Sequence, residues 1–189
     1  MISDAIEYIR REVVAYLGIG NGDVVAGYIH LLKEDNTTRG LYMSLVNLEE
    51  EATLRNTSHA IRHPDNTVTY REPPLFLNVY LLFAANFSNY DTSLLRLSQT
   101  IELFQSKRMF EAANASAANP FPITLEKLIF DFYNLNTEQL NNLWSVLGGA
   151  YLPSVVYKMR MVRVQRDESV SGPPITTIRV DSELIGQSA

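Results

Sequence analysis

Hydrophobic residues recur at steps of three and four in three stretches of the chain, which is the period of one face of an α-helix. The stretches are residues 3–17, 90–106 and 136–147. Ser3 can cap the first helix, and Asn136 or Thr137 can cap the third. Glycines follow the first and third stretches, so we expect those helices to end there. The apolar stripes consist of Ile6, Ile9, Val13 and Leu17; of Leu94, Leu97, Ile101 and Phe104; and of Leu140, Leu143, Trp144 and Leu147.

Alternating or continuous apolar runs predict strands between these helices. The predicted strands are residues 24–32, 41–54, 75–83, 123–133 and 154–165. Residues 75–83 follow two prolines and are apolar at both odd and even positions, which is typical of a central strand covered on both faces. In the last strand we expect Tyr157 and Met159 on one face and Lys158 and Arg160 on the other.

Polar stretches divide these elements. Residues 55–72 have no hydrophobic period and are predicted to be an exposed loop. Residues 111–120 are rich in Ala and Asn and are predicted to form a loop. Residues 166–174 contain Gly-Pro-Pro and are predicted to form a linker. The order of elements predicts the α+β class, with a mainly antiparallel mixed sheet packed against about three helices. We expect one domain over residues 1–165 and an extended C-terminal tail over residues 166–189, a possible interaction arm.

Composition excludes several classes of function. The chain has 189 residues, no cysteine and a net charge of -5. Without thiols there is no disulfide framework and no thiolate metal site, which favours an intracellular protein. A net acidic chain argues against broad nucleic-acid binding. No apolar run is long enough to span a membrane, and the first residues do not resemble a signal peptide.

Candidate catalytic or metal-binding residues each have a simpler explanation. His59 and His63 are four residues apart, but Pro64 indicates a loop and not a helix that would hold a metal. The glycines of residues 18–22 follow a predicted helix and precede a strand, the reverse of a dinucleotide-binding loop. No serine lies in a nucleophile-elbow pattern. We therefore expect no catalytic residue, no cofactor and no metal, although a small hydrolase or metal-binding protein is the less favoured alternative.

Two groups of positions are candidates for a partner interface. One is the run of glutamates at 49–51, and the other consists of basic and apolar residues near the C-terminus. Glu49 and Glu51 should face one side of their strand and Glu50 the other, as a solvated edge or a charge patch. A basic run at 158–166 has no acid within it, so it is either an exposed strand face or a surface for an acidic partner. The candidate interface residues are Lys158, Arg160, Arg163, Arg166, Ile175, Ile178 and Val180.

Four segments together resemble one family. They are residues 45–51 (LVNLEEE), 73–83 (PPLFLNVYLLF), 143–149 (LWSVLGG) and 151–158 (YLPSVVYK). Their order is similar to that in a domain long catalogued as of unknown function. It forms the N-terminal part of cap proteins of extracellular contractile injection systems, of the antifeeding-prophage and virulence-cassette type. The chain also resembles tail terminators of contractile phages, and the resemblance covers about residues 1–165.

The resemblance implies a structural role in assembly. Such a protein forms a homohexameric ring on the distal end of the inner tube and sheath, ends polymerisation and fixes length. It would be assembled in the bacterial cytoplasm and then form part of the particle, which can be released. The resemblance implies no nucleic-acid or membrane partner. The alternative within the same class is another structural adaptor of the particle, a tube initiator or baseplate part.

Overall fold

The computed structural model describes residues 1–29, 39–51, 60–62, 68–71, 75–148, 151–164 and 169–172. Side chains are described for these ranges except 60–62, 68–71, 161–164 and 169–172. The chain divides into two compact units. The first comprises Met1–Arg55 and Pro74–Val164, and the second comprises Asn56–Pro73 and Gln165–Ala189.

Three α-helices form where the hydrophobic period predicted them. They are α1 (Ile2–Leu17), α2 (Tyr90–Ser106) and α3 (Thr137–Val146). Gly18 ends α1 in the left-handed conformation, with φ 62°, which glycine adopts without a Cβ clash. Asn89 and Asn136 cap α2 and α3, since each side chain accepts a hydrogen bond from a backbone N–H in the first turn.

The first unit contains a six-stranded sheet in the order β1-β2-β5-β8-β7-β6. β1 is parallel to β2, and the other neighbours are antiparallel. The α+β class with a mainly antiparallel mixed sheet is thus confirmed. The six strands are β1 (Val24–Ala26), β2 (Gly40–Glu50), β5 (Leu75–Asn86), β6 (Met109–Glu111), β7 (Lys127–Tyr133) and β8 (Ser154–Val164).

Both faces of this sheet are covered. Val79, Leu81 and Phe83 of β5 pack into a core with α1 and α2. Tyr80 and Leu82 of the same strand point the other way, into a core with Trp144 of α3. β5 is therefore a central strand buried on both faces, as its continuous apolar sequence predicted. We call the side covered by α1 and α2 the first face and the side covered by α3 the second face.

The second unit contains a three-stranded antiparallel sheet. Its strands are β3 (Ala60–Arg62), β4 (Val68–Arg71) and β9 (Ser169–Gly172), in the order β3-β4-β9. The prediction of a loop over 55–72 is wrong at β3 and β4. The predicted linker 166–174 likewise contains β9. These strands are three or four residues long, too short for an alternating pattern to emerge from polar surroundings.

Smaller corrections concern element ends and faces. β1 stops at Ala26, whereas a strand was predicted to Leu32, and the sequence analysis missed β6. Ser3 lies inside α1, whose N-cap is Met1. Leu94 is exposed because the buried face of α2 is rotated to include Ser93, Leu97 and Thr100.

Candidate assembly surfaces

Lys158 and Arg160 of β8 lie on the second face of the sheet, and both have contacts within the chain. Lys158 is opposite Tyr80 on β5 and Asp131 on β7. Asp131 forms ion pairs of 2.6 Å with both Arg160 and Arg108. The Lys158 Nζ atom lies 5.9 Å from the centre of the Tyr80 ring. The two guanidinium groups of Arg108 and Arg160 thus share the single carboxylate of Asp131, so this cluster carries one positive charge in excess.

Glu49 of β2 and Glu51, which directly follows β2, also lie on the second face. They are on the β2 side of β5, whereas the basic residues are on the β8 side. The Tyr80 hydroxyl donates to Glu49 Oε2 at 2.6 Å, and Asn78 Nδ2 donates to Glu51 Oε2 at 3.0 Å. Glu49 and Glu51 therefore point to one side, as their spacing predicted. Burial raises the pKa of Tyr80, and its hydrogen bond to the Glu49 carboxylate raises this pKa further. Tyr80 therefore stays protonated and serves as a donor.

A second surface is formed by residues 112–125, which we call the 112–125 loop. Asn119 fixes it to α1, since its Nδ2 donates to the Tyr8 carbonyl at 3.2 Å and to Glu12 Oε1 at 2.8 Å. Lys107 forms an ion pair of 2.8 Å with the other oxygen of Glu12. Lys107 Nζ also donates to the carbonyl of Asn114 at 3.2 Å. The loop is thus held by buried and half-buried polar contacts.

Two recesses flank the first half of α1. One, of about 410 Å³, lies between α1 and the 112–125 loop. The other, of about 470 Å³, lies between α1, the end of β1 and the middle of β2, and we call it the α1–β2 groove.

Among the described residues no group of three or more His, Asp or Glu side chains could hold a metal. No helix in the described ranges is long and apolar enough to cross a bilayer.

Several candidates from the sequence lie outside these descriptions. The side chain of Arg163 is not described, and residues 166, 175, 178 and 180 fall outside the described ranges, as do His59 and His63. Conversely, the sequence analysis did not identify the α1–β2 groove or Ile123 at the tip of the 112–125 loop. The absence of charge in residues 112–125 was the only available signal for that loop.

Comparison with known families gives one match over most of the chain. A family model described as the Pvc16 N-terminal domain matches residues 4–177. No curated protein matches the sequence.

Two solved structures have a similar fold. One is the cryo-EM structure of the sheath/tube terminator of PVC, an extracellular contractile injection system, in the extended state. It gives a TM-score of 0.63 at 16% identity and covers 100% of this chain and 64% of that one. The other is the cryo-EM structure of the anti-feeding prophage cap, a tube terminating cap. It gives a TM-score of 0.67 at 13% identity over 96% of this chain and 62% of that one. The chain therefore spans less than two thirds of either structure, and the likeness shows a common fold.

Proposed function

Because the chain belongs to the Pvc16 N-terminal domain family, we propose that it is a structural cap of a contractile, phage-tail-like injection particle. The cap closes the distal end of the tube and sheath and ends their polymerisation. The observation that carries this proposal is the family match over residues 4–177, together with a fold shared with two terminating proteins over 100% and 96% of this chain. The function needs neither a catalytic residue nor a cofactor.

We further propose that the cap is a homohexameric ring that binds both the tube and the sheath. A ring requires a heterologous contact, in which one patch of each copy binds a different patch of the next copy and the rotation closes. A terminator must also contact the last polymer layer on one side and offer no further addition site on the other. In this scheme the ring is assembled in the bacterial cytoplasm and leaves it with the particle.

The basic positions of β8 and the C-terminal tail are the proposed contacts with the polymer. The positive surplus around Asp131 supports this, because a cationic strip favours an acidic partner surface. Lys158, Arg160, Arg163 and Arg166 would supply the charge, and Ile175, Ile178 and Val180 would add an extended apolar segment. These assignments remain predictions from the sequence.

The decisive experiment is deletion of the gene followed by electron microscopy of the particles. We expect tubes and sheaths of irregular length with open distal ends, and expression of the wild-type chain in trans should restore closed particles. Particles of normal length with closed ends would reject the proposal. Gold labelling of a tagged chain on complete particles gives a second readout. A label at the baseplate end would identify the chain as an initiator or baseplate adaptor.

A further inference from the structure

The tip of the 112–125 loop carries a large apolar side chain that touches nothing else in the described structure. Ile123 is 103% exposed relative to an isolated residue, whereas Phe121 and Leu125 on either side are 8% and 7% exposed. The Leu125 N–H donates to the Pro122 carbonyl at 3.0 Å, which closes a tight turn with Ile123 inside it. Ile123 is therefore held outward between two buried anchors.

The turn is also fixed laterally. Thr124 Oγ1 donates to Asp4 Oδ2 at 2.8 Å, and Asn119 is bonded to α1 on the other side. Pro120 and Pro122 restrict the backbone further. A projection that is ordered before binding loses little conformational entropy when a partner covers it. This is the property expected of an anchor residue in a protein–protein interface.

The charge pattern around the tip is that of an interface core. Residues 112–125 contain no charged side chain, although 20% of the chain is charged. Most of these residues are exposed. Exposed surface normally carries charge, and depletion of charge marks the centre of a protein interface. The 112–125 loop is thus an ordered, uncharged surface with one projecting isoleucine.

The α1–β2 groove is lined mostly by apolar side chains and so matches the uncharged 112–125 loop. Among the described residues that line it, Glu7 alone carries a charged side chain, and Glu7 is turned toward Arg10 and Arg11, with ion pairs of 2.8 and 2.9 Å. Tyr28 and Leu45 are 73% and 41% exposed, so the groove presents large apolar side chains side by side at the surface. Its apolar lining consists of Ile2, Ile6, Ala26, Tyr28, Met43 and Leu45.

We infer that Ile123 of one copy docks into the α1–β2 groove of the next copy. This inference rests on the proposed ring-forming cap and names the contact that builds the ring. The 112–125 loop and the α1–β2 groove are different patches beside α1, separated by the ridge of Ser3 and Glu7 that both recesses share, so each copy presents one projection and one groove. Such a pair is heterologous and propagates around a ring.

Charge favours a second copy as the occupant. Each copy carries a net charge of -5, so identical copies repel one another wherever charged surfaces meet. The contact between copies should therefore use the parts of the surface with the least charge. The 112–125 loop and the α1–β2 groove are two such parts, whereas a tube or sheath protein would be recognised better through charged residues.

Cysteine crosslinking tests the contact directly because the chain has no native cysteine. Two double variants of the full chain carry Ile123→Cys with either Leu45→Cys or Tyr28→Cys. They are treated with a short bismaleimide, both as purified protein and in assembled particles. A head-to-tail contact should give a ladder of covalent oligomers that extends beyond dimers. Each single-cysteine variant can give dimers at most.

The matched control combines Ile123→Cys with Leu95→Cys on α2. Leu95 is 54% exposed. Its neighbour Arg96 donates to the Leu17 carbonyl at the far end of α1, about 15 Å along the helix from Glu7, the nearest helix residue of the groove. A ladder in the control as strong as in both groove variants would overturn the inference. The absence of a ladder in particles whose distal ends carry the gold label for this chain would also overturn the inference. That result would leave the proposed cap function standing. A ladder of crosslinked copies, found together with particles whose distal ends carry no gold label, would reject the proposed cap function and support the contact between copies.

A second variant, Ile123→Asp, measures the energetic weight of the contact. We expect association between copies in sedimentation velocity to weaken roughly 10-fold or more, as for a buried apolar anchor. The thermal unfolding midpoint should not change, because Ile123 contacts no other residue in the described part of the chain. Unchanged association of Ile123→Asp would contradict the inference. The corresponding Leu95→Asp variant should associate like the wild-type chain.

Discussion

Asn119 is the residue on which the position of the 112–125 loop depends most. It is 5% exposed, and its amide satisfies the carbonyl of Tyr8 and the carboxylate of Glu12 at once. Loss of this amide would leave the Tyr8 carbonyl and the Glu12 carboxylate with one hydrogen bond fewer each, which costs free energy in a buried site. The polar contact, and not hydrophobic packing alone, sets the distance between the loop and α1.

We predict that Asn119→Ala lowers the free energy of unfolding by about 1–3 kcal/mol, since it leaves two buried acceptors with fewer donors. Urea unfolding followed by circular dichroism measures this. Asn142→Ala on the exposed side of α3 is the control and should change the free energy of unfolding by less than about 0.5 kcal/mol. Equal effects of the two substitutions would mean that Asn119 does not hold the loop.

Glu7 makes the stability of α1 dependent on pH. Hydrogen bonds from Arg10 and then Arg11 lower the pKa of Glu7 from 4.5 to about 2. A lowered carboxyl pKa stabilises the fold above pH 4.5, and this contribution is lost as the pH falls toward 2. Because Glu7 is 41% exposed, solvent screening keeps the contribution below about 1 kcal/mol.

We therefore predict that Glu7→Gln is less stable than the wild-type chain at pH 7 and equally stable near pH 2. Unfolding titrations at intervals between pH 7 and pH 2 measure the difference, which should shrink below pH 4.5. A difference that stays constant over this range would show that the loss comes from packing and not from the ion pairs. Glu102→Gln, on the exposed side of α2, serves as the reference for a simple loss of charge.

Residue roles that depend on distant partners could not be predicted from the sequence. Arg160 was correctly placed on the second face, yet its partner Asp131 lies on another strand almost thirty residues away. The alternation of Glu49, Glu50 and Glu51 was predicted because it depends only on strand geometry. That Tyr80 binds Glu49 depends on the register between β2 and β5, which a single sequence does not reveal.

At the scale of elements, the start of β2 is restricted by the backbone near β1. Gly40 has φ 154°, and a Cβ atom there would lie 2.4 Å from the carbonyl oxygen of Asp23. That oxygen belongs to the main chain, so it cannot move without displacing the start of β1. Glycine at this position lets two neighbouring strands approach closely.

We predict that Gly40→Ala lowers the free energy of unfolding by more than about 1 kcal/mol, because both the backbone angle and the space disfavour a side chain. Gly22→Ala is a sharp control, since nothing lies within 4 Å of a Cβ built there. Thermal and chemical unfolding of the two variants should differ clearly. Similar stabilities would show that β1 adjusts at little cost.

The length and regularity of an element determined whether the sequence predicted it. α2 was predicted from 90 to 106 and spans Tyr90–Ser106, because a long helix repeats its period several times. β3, β4 and β6 were missed because three or four residues cannot establish a period. The rotated stripe of α2, with Leu94 outside and Ser93 and Thr100 inside, follows from packing against β5 and lies beyond what spacing alone can show.

At the scale of the whole molecule, the proposed C-terminal arm can be tested without disturbing either described sheet. Deletion of residues 173–189 retains β9, which pairs with β4, and all six strands of the larger sheet. We predict that the deleted chain folds but binds tubes and sheaths less tightly, measured by co-sedimentation with particles from the deletion strain. Unchanged ring formation and particle binding would exclude residues 173–189, with Ile175, Ile178 and Val180, as part of the arm.

The fold class was readable from the order of helices and strands, but the function was not. A search of the sequence for chemistry gave only residues with simpler explanations. What the sequence supplied was the order of four short segments that resemble one family, and the match over residues 4–177 places the chain in it. The assembly surfaces could not be read in advance, because the groove is built from three separate elements.

The central position of β5 also governs when the protein can fold. β2 ends well before β5 in the chain, but its other partner, β8, is synthesised only after a further 67 residues have passed. Until then one long edge of β5 lacks its partner strand, and an unpaired apolar strand edge aggregates readily. Pairing over this sequence separation is also slow. A nascent or truncated chain that lacks β8 is therefore expected to aggregate readily, and the folded subunit should form only after β8 has been synthesised.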